Sequence, residues 1–275
     1  MKKYIGYRLK NSFNKWIIIL AVIVCFSILA AKYFDPKKIT YNDWILIMFD
    51  NRILLSTLFT LLPFLIFFDI GYLKRWNIQS VIRFGNISKW YYSELIYLFL
   101  TCFLFVAILA LVFFIVGINY GYNIVNTWEK TFFYSNTLIN ANSFDQSGNP
   151  MLFLMVNKIS PISSIFYSYC LYFCRIIFYA LLLMLFNLKL NHPALGIGVT
   201  LIFNWIEVYF YALKTFFIPL YIFPFEHSIV TSINGYRSQI YFSFVYWILL
   251  LSLEVLLAKS SSNNAISSLM KQKKV

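Results

Sequence analysis

Residues 91–117 read YYSELIYLFLTCFLFVAILALVFFIVG, 27 positions carrying one charged side chain, Glu94. As a helix rising 1.5 Å per residue, a run of that length reaches ~40 Å, more than the ~30 Å hydrocarbon core of a bilayer. It lacks the apolar-polar alternation of a barrel strand, so it reads as a membrane-spanning helix. Working outward, five further apolar runs of comparable character lie at 17–33, 53–73, 163–187, 194–213 and 238–258. The expected fold is therefore an all-α membrane protein, a six-transmembrane-helix bundle forming a single transmembrane domain over 1–275.

Composition agrees with that reading. The 275 residues are 61% hydrophobic and only 12% charged, with a mean hydropathy of +0.72, whereas a soluble domain carries about 25% charged residues to wet its surface. The formal charge of +13 reports membrane anchoring rather than nucleic-acid binding, because basic residues flank spans and meet anionic headgroups. Cys25, Cys102, Cys170 and Cys174 all sit in apolar runs without a CxxC pattern, which predicts free thiols rather than disulfides or metal ligands.

The segment before the first span, MKKYIGYRLKNSFNKW, places Ile5, Leu9, Phe13 and Trp16 at helical spacing. It reads as an amphipathic elbow over 1–16 rather than the leader of a cleaved signal peptide, with Lys3, Arg8, Lys10 and Lys15 turned to anionic headgroups. Assigning basic residues to alternate sides puts fourteen on the side of the amino terminus and eight on the other. That predicts a multi-pass protein of the cytoplasmic (inner) membrane with both termini cytoplasmic. The outside links are then 34–52, an extracellular loop at 118–162, and 214–237, where Pro219 and Pro224 interrupt an apolar stretch too short to cross; it reads as a re-entrant segment.

Catalytic constellations are missing from the sequence. It holds no phosphate loop, no HExxH and no GxSxG, and its two histidines, His192 and His227, fall on opposite expected sides, so a structural role suits each better than catalysis. No enzyme activity, metal site or cofactor is expected in this chain. Charges inside spans are more informative, since one at the bilayer centre costs at least ~2.5 kcal/mol and faces protein or water. Arg175 and Glu207 lie at similar depth in consecutive antiparallel runs and are expected to form an intramembrane ion pair. Asp69, Glu94 and Glu254 sit near cytoplasmic ends, within reach of Lys74, Lys89 and Lys259.

The inside link after the second span runs Gln79-Ser80-Val81-Ile82-Arg83-Phe84-Gly85-Asn86-Ile87-Ser88-Lys89-Trp90. With its R-x-G stretch, a following basic residue and Trp, and with the elbow, six spans and broken segment around it, the chain resembles the ABC type-2 permease family. The resemblance covers nearly all of the sequence, apart from the largest outside loop, which lies before the fourth span rather than the sixth. It implies a membrane subunit that does no covalent chemistry itself. Two ATPase subunits bearing ATP and Mg, and a second permease subunit, identical or different, would complete the transporter. The same resemblance implies a coupling helix that docks on the ATPase, here with Gln79, Ile82, Arg83, Gly85, Lys89 and Trp90. Phe64, Phe68, Phe203, Tyr209 and Phe210 would line a substrate path suited to an amphipathic peptide, such as a bacteriocin, or a lipid. The competing expectation is a non-transporting membrane interaction protein, an immunity factor or an accessory subunit of a sensor.

Overall fold

The computed structural model describes residues 2–33, 40–50, 60–68, 70–71, 84, 86–126, 159–190, 192–213 and 237–272. Among them are eight helices and no strand: α1 (Lys2–Asn11), α2 (Phe13–Tyr33), α3 (Tyr41–Asp50), α4 (Thr60–Phe67), α5 (Ile87–Asn119), α6 (Pro161–Leu190), α7 (Pro193–Leu213) and α8 (Arg237–Gln272). Four of the segments they form, Phe13–Tyr33, Ile87–Asn119, Pro161–Leu190 and Ile240–Asn263, are long and apolar enough to cross a membrane. The chain is a multi-pass helical membrane protein by that measure. The loop expected to be extracellular, 118–162, is described only at its two margins, and the expected re-entrant segment lies outside the described residues up to Arg237, which opens α8.

Helix starts follow local chemistry. Asn86 caps α5, its side chain accepting from the Ser88 amide at 2.8 Å, which satisfies one of the donors that a first turn leaves open. Proline opens both α6 and α7, where a missing N–H costs nothing. At α3, Thr40 and Asp43 form a reciprocal capping box: the Asp43 carboxylate accepts from the Thr40 amide at 3.0 Å, and Thr40 Oγ1 accepts from the Asp43 amide at 3.3 Å.

The bundle is organised around α6, which touches α3, α4, α5, α7 and α8. Leu171, Tyr172, Tyr179, Leu181, Leu183 and Met184 of this helix are fully buried. Between apolar helices in lipid, burial supplies little drive, so close packing and polar pins hold the assembly. Contacts also set directions. The Tyr122 hydroxyl donates to Ala31 O at 3.0 Å and the Ile162 amide to Asn126 Oδ1 at 3.4 Å, so the end of α5 lies by the end of α2 and the start of α6. At the opposite end, the Tyr91 hydroxyl donates to Val255 O at 2.6 Å.

Three expectations are revised. The second span is not a single helix over 53–73: among the described residues it comprises α4 and a turn, and it is preceded by α3, which occupies much of the expected outside loop 34–52. Trp44, Ile45 and Leu46 of α3 are buried, and its Phe49 ring lies 4.9 Å from that of Tyr169 on α6. Ten residues are too few to signal a span, yet every face of this apolar run finds protein. After α4, Gly71 adopts φ 69°, a left-handed conformation that suits glycine, within 2.9 Å (from where a Cβ would sit) of the Met184 carbonyl. Second, the stretch expected as an elbow over 1–16 divides earlier: α1 ends at Asn11 and α2 begins at Phe13, with α-type hydrogen bonds of 3.1 Å from Ser12 N to Arg8 O and from Trp16 N to Ser12 O bridging the joint. Third, Arg8 does not face headgroups; it is 3% exposed.

Candidate functional site

Two buried polar clusters stand out, one at the amino-terminal end and one midway along α6. At the first, α1 packs on the start of α5. Arg8 and Tyr4 are one turn apart on α1, so both reach Glu94 on α5. The Arg8 guanidinium meets Glu94 Oε2 at 3.4 Å, the Tyr4 hydroxyl donates to Glu94 Oε1, and the Tyr97 ring centroid lies 4.8 Å from the guanidinium carbon. Glu94 is 1% exposed. Burial, then the neighbouring Glu94 carboxylate, pushes the Tyr4 phenol well above its usual range. The carboxylate is held by a cation and a phenol, and the cation in turn by the face of the Tyr97 ring, so both buried charges are compensated, which is the condition for tolerating them.

At the second cluster Arg175 of α6, fully buried, donates from Nη2 to Asn204 Oδ1 of α7 at 2.9 Å, and its guanidinium carbon lies 5.1 Å from the Tyr179 ring centroid. Glu207, the expected partner, follows Asn204 by three positions on α7, but its side chain lies outside the described residues. The joint between these helices is tightened nearer their connection by Gly196, where a Cβ would fall 1.9 Å from Asn187 Oδ1. Asn187 itself donates to Ile70 O at 2.8 Å, tying the turn after α4 to the same helix. His192 plays the structural part expected of it, its Nδ1 accepting from the Leu195 amide at 3.4 Å at the start of α7.

Of the expected coupling residues, Gln79, Ile82, Arg83 and Gly85 lie outside the described residues. Lys89 is exposed in the first turn of α5, and Trp90 is fully buried there; both belong to the spanning helix. Phe64 is buried, 6.5 Å from the Tyr179 ring, whereas Phe203 meets Phe178 at 6.1 Å and Phe68 is exposed. Phe64 and Phe203 thus pack on adjacent rings of α6. The side chains of Tyr209 and Phe210 lie outside the described residues. The four cysteines are free, with Cys25 exposed and Cys102 buried. Among the described residues, no three His, Cys, Asp or Glu side chains gather as a metal site would require.

Sequence reasoning missed the Arg8–Glu94 pairing and the Asn204 partner. Signals for both were present: Tyr4 and Arg8 at i, i+4 opposite the lone charge of the longest apolar run, and an amide one turn before Glu207 in another. No protein-family model matches the chain, and neither a curated protein nor a solved structure matches it.

Proposed function

We propose that this chain is the permease subunit of an ATP-binding-cassette exporter, moving an amphipathic peptide or lipid across the cytoplasmic membrane with energy from separate ATPase subunits. In this reading α2, α3 with α4, α5, α6, α7 and α8 make six crossings, and α1, the 74–90 link and the end of α8 share the cytoplasmic end with both termini. The observation that carries the reading is the Arg8–Glu94 tie, which fixes the basic amino-terminal helix to the start of α5, directly after the polar link. A push delivered to that link would reach α5 and α1 together, the rigid coupling that a transporter driven from outside its own chain requires. Its own sequence holds no phosphate loop, which fits a division of labour with an ATPase.

The test is to purify the tagged chain in mild detergent from its native host and identify what accompanies it. A stoichiometric ATPase subunit, lost on Arg83→Glu, is the expected result. Recovery alone, or with a partner that is not an ATPase, overturns the proposal and favours the non-transporting interaction protein.

A further inference from the structure

At the amino-terminal end a second seam, between α5 and α8, faces outward and is basic. Lys259 of α8 donates from Nζ to the Tyr92 hydroxyl of α5 at 3.2 Å and lies 5.5 Å from the centroid of its ring. Lys89 stands one turn before Tyr92 on the exposed stripe of α5, which continues through Ile96, Phe99 and Phe103, at 42%, 38% and 59% exposure. On α8, Ile248 and Leu256 are each 64% exposed. Glu94 and Glu254, the acids of these two helices within the described side chains, are buried, so among the described residues the two cations of the seam meet no exposed acid.

We propose that this seam binds one anionic phospholipid, its phosphate held by Lys89 and Lys259 beside the Tyr92 hydroxyl and its acyl chains lying along Ile96, Phe99 and Ile248. Dimensions fit the occupant. From Lys89 to Phe99 is ten residues, ~15 Å of helix, which matches half of the ~30 Å hydrocarbon core. Two lysines and a tyrosine at that height are the groups that meet headgroups. The open amides of the first turn of α5 add a favourable field for an anion, though they do not make the site. A soluble phosphate would use the lysines but leave the apolar stripe below them idle; the lipid uses both. This inference stands apart from the transport reading and would hold equally for an interaction protein.

The test is native mass spectrometry of the full chain in micelles holding equal phosphatidylglycerol and phosphatidylcholine. The wild type is expected to retain phosphatidylglycerol about thirtyfold over phosphatidylcholine, the preference two lysines near one headgroup supply. Changing both Lys89→Ala and Lys259→Ala is expected to abolish that preference, while Lys89→Arg with Lys259→Arg keeps it, as does Lys3→Ala with Lys10→Ala on α1. Lys89 is exposed and Lys259 partly so; the arginine pair guards against a loss caused by misfolding. No preference in the wild type, a preference lost in the α1 pair but kept in the seam pair, or loss in the arginine pair would each overturn the proposal. So would displacement by millimolar glycerol 3-phosphate, since the site would then recognise phosphate rather than lipid.

Discussion

Arg8 and Arg175 are both buried arginines in a protein with few charges, and the described side chains around them differ. Arg8, near the amino-terminal end, meets a carboxylate, with a phenol on the carboxylate's other oxygen. Arg175, midway along α6, is seen to meet a neutral amide and an aromatic face. The first arrangement joins two charged groups whose joint removal can be neutral; among the described side chains, the second sets a dipole and a quadrupole beside its cation. Each arginine joins its own helix to a neighbour, so the same side chain pins α1 to α5 at one level and α7 to α6 at another.

The largest effect should come from breaking the first arrangement on one side only. Glu94→Leu leaves the Arg8 guanidinium buried beside a hydrocarbon, and the expected loss is about 3–5 kcal/mol of stability in denaturant titrations of the micellar protein. Adding Arg8→Met should recover most of it, because apolar residues of similar volume replace a buried pair at small cost. A Glu94→Leu protein as stable as the wild type would mean that the cluster is solvated and that the two arginines do not differ in kind.

A smaller effect belongs to the second arrangement. Asn204→Leu removes the amide acceptor but leaves the Tyr179 ring, so the expected cost is about 1.5–3 kcal/mol, that of one hydrogen bond to a charged group. If this variant proved less stable than Glu94→Leu, the amide rather than the carboxylate would be the stronger pin. The smallest effect should be that of Tyr4→Phe, about 1.5 kcal/mol at neutral pH, the low end for a bond to a charged group because the phenol is only part-buried. It carries a pH signature. Because the folded protein raises the phenol above its ordinary value of 10.0, the contribution of Tyr4 is complete below pH 10 and falls as pH rises past it, where the unfolded phenol ionises and the folded one does not. Above that pH, wild-type stability should decline more steeply than that of Tyr4→Phe; parallel curves would show that the phenol is not held in the cluster.

These two clusters also show how far the sequence could be read. The spans at 91–117, 163–187 and 238–258 were legible because an apolar run longer than the bilayer is thick has few alternatives in water, and the structure extends the first two by a few residues and the last to Gln272. Helix α3 was not, because six apolar residues between two acids satisfy no length criterion; only its Thr40-Tyr41-Asn42-Asp43 capping box announced a helix. At the sites, Arg175 was legible as a charge within a span, but its described partner is an amide, which hydropathy scarcely registers. Arg8 was read as a headgroup ligand because an amphipathic basic helix carries no mark of which cation turns inward.

Composition and run length, by themselves, determined that this chain is helical and lives in a membrane, since the cost of exposing apolar surface to water, or an unpaired backbone to lipid, depends on no particular neighbour. Which helix lies against which, that Glu94 meets Arg8 rather than Lys89, and that Lys259 closes on Tyr92 were decided only by the tertiary structure. Those pairings join residues 86 and 167 positions apart, and no local pattern encodes contacts that come into being only when separate helices pack.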